Sequence, residues 1–164
     1  MNAVTYAKTA LESQLGLLGM CAGGMDDAQY NWKPGGTANS AAKSHVHALT
    51  SMDFFINNIA RGTDLLWGPF AAKNNLPANA QEIWSFDGTI PVAAMQEYAQ
   101  AIKTSVLDYI GTLNDEDLDR EVETNFFGKK PVSFLIQLAG YHAVGHGGDM
   151  ATVKGIQGLK GLPF

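Results

Sequence analysis

Four separate stretches of this chain place apolar residues three and four positions apart, a spacing that a helix turns into one buried face. The first runs from about Ala3 to Cys21, with Val4, Ala7, Leu11, Leu15 and Leu18 on its stripe; Gly23, Gly24 and the Asp26-Asp27 pair end it. The second follows the turn-rich Asn31-Trp32-Lys33-Pro34-Gly35-Gly36 and takes Ser40 or Asn39 as its N-cap. It reaches about Arg61, buries Ala42, Val46, Leu49, Ile56 and Ile59, and stops at Gly62. The third starts near Pro91, with Met95, Tyr98, Ile102, Val106 and Ile110 on its stripe. The fourth runs from near Ser133 to Lys154, where Leu135, Leu138, His142, His146, Asp149 and Val153 share one face. These four helices predict an all-α fold, a four-helix bundle forming a single domain over residues 1–164.

The connections are less regular. Residues 63–90 are rich in Gly, Pro and Asn, and read as a long packed loop between helices 2 and 3, holding at most one short helix. A loop of that length in a small domain points to function. Asn114-Asp115-Glu116-Asp117 is a polar break with capping potential, and residues 121–131 read as a short extended turn. The tail from Gly155 to Phe164 is too rich in glycine for a helix. Its Ile156, Leu159, Leu162 and Phe164 predict a segment packed across the bundle.

Charge and cysteine usage narrow the partners. The chain has 164 residues, a net charge of -5 and only 11 scattered Lys and Arg, which argues against nucleic acid as a partner. Cys21 is the lone cysteine, so an internal disulfide and a thiolate metal cluster are both excluded. That usage suits a reducing cytoplasm, and the N-terminal stretch lacks the apolar core of a secretion signal. No apolar run approaches the roughly 20 residues of a membrane span. The expectation is a cytoplasmic protein that does not enter the membrane.

His142 and His146 are the sharpest chemical signal. A helix turns about 100° per residue, so side chains four apart sit on one face, about one turn from each other. Two imidazoles so placed can aim ring nitrogens at one ion, and inward polar groups on an apolar stripe need such a partner. Asp149 lies on the same stripe and is either a fourth ligand or the acceptor that sets a histidine tautomer. A third ligand must come from His45 or His47 on the second helix, and periodicity alone leaves both open. The histidine left over is a surface residue or supports a ligand from behind. Asp53 stands about 120° around the helix from His47, which points instead to a buried carboxylate orienting Tyr or Trp side chains.

Two sequence patterns carry a resemblance. One is Trp32-Lys33-Pro34-Gly35, then Asn39-Ser40, then His47 to Asp53; the other is His142-x-x-x-His146-Gly147-Gly148-Asp149 with the ending Lys154 to Phe164. Together they resemble the DinB/YfiT-like superfamily over nearly the whole chain. The resemblance implies a four-helix bundle in which one histidine of the second helix and two of the fourth hold a divalent metal. It selects His47, with His142 and His146, as the ligands. This chain has Asp149 where the family often has Glu, and Met52-Asp53 where the family often has Glu-Asp.

The same resemblance implies a metal-dependent transferase, isomerase or hydrolase, with a low-molecular-weight thiol activated for transfer to a small electrophilic substrate. Asp149, Asp53 and Tyr141 are then the candidates to assist proton transfer. Imidazole ligands suit zinc, nickel, iron or copper. The alternative expectation is a non-catalytic, stress-related binding or structural protein stabilised by its metal. Gly140, Gly145, Gly147 and Gly148 follow no strand signal, so they read as points of close helix packing, within the bundle or in a homodimer. Trp67, Phe70, Trp84 and Phe127 are candidates for a pocket lining, though core packing is the commoner role of such residues. Cys21 has no basic neighbour to make it a nucleophile.

Overall fold

The apolar stripes become long helices whose ends are set by local capping chemistry. The computed structural model describes every residue except Pro163. Helix α1 (Ala3–Ala22) opens with the Asn2 side chain accepting a hydrogen bond from the Thr5 amide, which satisfies one of the free donors of the first turn. A single turn of helix, α2 (Asp27–Asn31), carries a reciprocal capping box between Asp26 and Gln29. Helix α3 (Ala41–Met52) is capped by Ser40, the expected residue, whose side chain accepts from the Lys43 amide. It runs on without a break as a π-helical stretch, Asp53–Ala60, and Gly62 then turns the chain with a φ of +79°.

Residues 63–90 hold more structure than a bare loop: a helix α4 (Trp67–Lys73) and a 3₁₀ turn (Ala80–Trp84). Helix α5 (Val92–Thr112) begins directly after Pro91. The polar break is the capped start of a short helix, α6 (Asp115–Asp119), with Asn114 accepting from the Glu116 and Asp117 amides. The expected extended turn is a hairpin, β1 (Glu121–Thr124) and β2 (Gly128–Pro131), antiparallel with Glu121 opposite Pro131 and Thr124 opposite Gly128. Helix α7 (Val132–Ile156) completes the chain and continues two residues into the glycine-rich tail.

Among the long helices, α1 packs on α7 and α5, and α3 packs on the same two. Leu11, Leu18, Leu49, Met52, Ile102 and Leu135 meet in the apolar centre they enclose. Two of the four glycines singled out on α7 lie against α1. A Cβ on Gly147 would stand 3.4 Å from Cys21 Sγ, and one on Gly140 would run into the Gln14 side chain. Gly145 and Gly148 face open space instead. In the tail, Leu159 packs on the core and Gly161 sits against the Ala151 carbonyl, whereas Ile156, Leu162 and Phe164 are exposed. Among the described residues, no helix is long and apolar enough to cross a membrane.

Candidate metal centre

The histidines converge from two helices. His47 projects from α3, and His142 and His146 project from α7. One ligand nitrogen from each ring lies within 4.8 Å of the others. Ring centroids are 4.9 Å apart for His47–His142 and for His47–His146, and 4.6 Å for His142–His146. Nitrogens bound at about 2.0–2.1 Å to one ion stand roughly 3.4 Å from each other, so an ion would draw these rings slightly inward.

The protonation chemistry suits a cation. Burial, helped by the neighbouring His146 and His47, pushes the His142 imidazole down to about 4. Burial and His146 also lower His47. Both rings are therefore neutral at pH 7, the form that binds metal. The buried Nδ1 of His142 has no hydrogen-bond partner among the described residues, which is costly unless something else meets it. His146 Nδ1 stands 3.0 Å from Asp149 Oδ2. A carboxylate can only accept, so Nδ1 carries the proton and Nε2 is left for a ligand. The residues present fit a divalent ion.

The other site candidates fall elsewhere. His45 is neither exposed nor part of the trio: it is buried, with Nδ1 2.7 Å from the Tyr30 hydroxyl, and burial pushes its pKa down to about 4. Asp53 is fully buried and accepts from Asn57 Nδ2, the Leu66 and Trp67 amides and the Tyr98 hydroxyl. The expectation that it orients aromatic residues holds for Tyr98 through its hydroxyl, but it meets Trp67 at the backbone and not at the ring. Tyr141 is exposed and does not line the cavity described next. Cys21 is buried, and burial raises its thiol pKa even with Lys154 nearby, so it is a packing residue.

Beside the histidines opens a cavity of about 780 Å³ with His47 and His142 in its wall. Helix α3 lines it with His47, Thr50 and Ser51, and the π-helical stretch that follows adds Phe54 and Phe55. Trp67 from α4 and Phe126 and Phe127 from the hairpin close other sides. Trp84 packs on His47 with ring centroids 4.9 Å apart, while Phe70 stacks on Tyr98. Of the four aromatics considered as a lining, Trp67 and Phe127 thus reach the cavity and Trp84 supports a histidine. Phe54 and Phe126 line the cavity as well, and the i, i+7 spacing of Phe54 from His47 is a readable signal of this.

Residues 10–150 match the sequence model of the DinB superfamily. The chain belongs to that superfamily. No curated protein matches it. Among solved structures, a conserved protein from Enterococcus faecalis superposes with a TM-score of 0.79 at 17% identity, covering 94% of this chain and 96% of that one. A DinB-like protein from Bacillus subtilis gives a TM-score of 0.69 at 23% identity, covering 97% and 96%. Both likenesses concern the shared DinB-like fold.

Proposed function

We propose that this chain is a metal-dependent enzyme of the DinB superfamily that transfers a low-molecular-weight thiol to a small electrophilic substrate. The proposal takes the chain as one domain in which α1, α3, α5 and α7 act as a four-helix bundle. The observation that carries it is the trio of His47, His142 and His146 at the edge of a cavity large enough for a small molecule. Three neutral imidazoles would hold zinc, nickel or iron, and would leave it both its charge and a free position. Such an ion, when bound, lowers the pKa of a thiol or water that meets it, so a nucleophile is available near neutral pH.

The protein's own residues prepare the place. Asp149 fixes the tautomer of His146 and so aims Nε2. Trp84 packs against the His47 ring and limits its rotation. The apolar part of the wall lowers the polarity around the trio, which strengthens electrostatic interactions there. Asp53 is a positioning residue: it holds the start of α4, and with it Trp67, against α3. Asp149 accepts the His146 Nδ1 proton at 3.0 Å and so acts through that ring; Asp149 and Tyr141 are both exposed and neither lines the cavity.

Metal content and turnover test the reading together. His47→Ala should lose metal as fully as His142→Ala does, and elemental analysis of untagged protein reads this directly. Thiol transfer in zinc- or nickel-supplemented assays should vanish in His146→Ala. Equal turnover by wild type and His146→Ala would remove the proposal.

A further inference from the structure

Among the described residues, the cavity lining contains no lysine, arginine, aspartate or glutamate, in a chain that carries 11 Lys and Arg and 16 Asp and Glu. Its walls are instead aromatic and aliphatic, interrupted by neutral polar groups such as Ser51 and Gln81. Away from the histidines, at the Phe54–Phe126 end, a charged substituent would shed its hydration shell and meet no opposite charge, which is unfavourable. A neutral ring would gain apolar contact and edge-to-face partners at no such cost.

The mouth of the cavity adds a second observation. Phe126, at the hairpin tip, is 70% exposed, and Phe127 is 45% exposed. The Phe126 ring lies 6.4 Å from that of Phe54, nearly perpendicular to it. Leu65 is also exposed on the same rim. Large apolar side chains left open around a concave, uncharged space mark a ligand surface more often than a packing defect.

We propose that this cavity takes an uncharged, largely aromatic substrate, its reactive atom at the His47–His142 end and its ring system lying against Phe54 and Phe126. The proposal rests on the reading of the trio as the reaction centre only for the orientation of the substrate; the choice of neutral over charged ligands stands on the lining alone. Ser51 and Gln81 allow the substrate a neutral polar group, such as a carbonyl, amide or hydroxyl.

A matched pair of fluorescent probes tests it. N-phenyl-1-naphthylamine is neutral, and 8-anilino-1-naphthalenesulfonate has the same ring system with one added sulfonate. Titrated into metal-free protein, the neutral probe should bind at least about tenfold more tightly than the sulfonated one. Phe126→Ala should weaken the neutral probe about fivefold or more, and Phe126→Leu less. Because Phe126 is exposed, the variant should keep the wild-type circular dichroism, which is recorded alongside. His146→Ala, outside the lining, should lose metal yet bind the neutral probe as wild type does. That arm separates failure of the metal reading from failure of this one. Equal affinity for the two probes, or neutral-probe binding indifferent to Phe126→Ala, would overturn the proposal.

Discussion

Asp53 concentrates more hydrogen bonds than any other side chain around the cavity. Its Oδ1 accepts from Asn57 at 2.8 Å, and its Oδ2 accepts from the Leu66 amide at 2.8 Å, the Trp67 amide at 3.1 Å and the Tyr98 hydroxyl at 3.0 Å. The two amides open α4, so a carboxylate from a neighbouring helix supplies the cap that α4 lacks locally. Asp53→Ala should strip a partner from several buried donors at about 1–3 kcal/mol each. Relaxation would recover part, so a net loss of about 4 kcal/mol is expected from urea unfolding, with Asp53→Asn falling between. A change below about 1 kcal/mol in the alanine variant would show that these bonds do not hold α4 in place. His45 gives a pH prediction. Its native pKa near 4 lies below the ordinary 6.5, so the unfolded chain binds its proton first as pH falls. Its burial therefore removes stability progressively from about pH 6.5 down to pH 4, on the order of 3 kcal/mol at the acid end. His45→Gln should reduce the slope of that segment of a stability-against-pH profile of metal-free protein, leaving the part that His142 and His47 contribute; an unchanged slope would contradict the assignment.

At the scale of elements, what the sequence reveals depends on periodicity. The stripes of α1, α3, α5 and α7 repeat at helical spacing for several turns, so all four were legible, as were Ser40 as a cap and the inward face of His142 and His146. The hairpin was legible only as a short extended turn, because strands of four residues carry too few alternations to register as a pair. Its two phenylalanines are adjacent in sequence, and adjacency encodes no face. The choice between His45 and His47 also escaped periodicity. Both border the stripe, and only the packing of α3 against both α7 and α2 sends one ring to the trio and the other to Tyr30. Lys154 is a further case of a residue whose role lies in packing. It is 5% exposed on α7, and its Nζ donates to the Gly23 carbonyl at 2.7 Å, tying α7 to the end of α1. Lys154→Met keeps the stem and loses that bond. It should lower stability by about 1–2 kcal/mol in denaturant titration, mostly by leaving the carbonyl unpaired; a variant as stable as wild type would refute the tie.

For the molecule as a whole, the trio joins segments nearly a hundred positions apart, so an ion held there would act as a cross-link between α3 and α7. A ligand bound only by the folded chain stabilises it, by about 2.7 kcal/mol at a hundredfold excess over its Kd. Zinc added to metal-free protein should therefore raise the melting temperature, a chelator should reverse the rise, and His47→Ala should abolish it. An equal rise in that variant would place the ion elsewhere. The hairpin stands in a different relation to the whole. It supplies Phe126 and Phe127 to the cavity mouth from outside the long helices, and its tip at residues 125–127 is exposed. Exchanging those few tip residues would leave the helical scaffold and the histidines untouched. On the proposed reading, a change confined to a loop of three residues would alter what the cavity admits and leave the histidine end as it is.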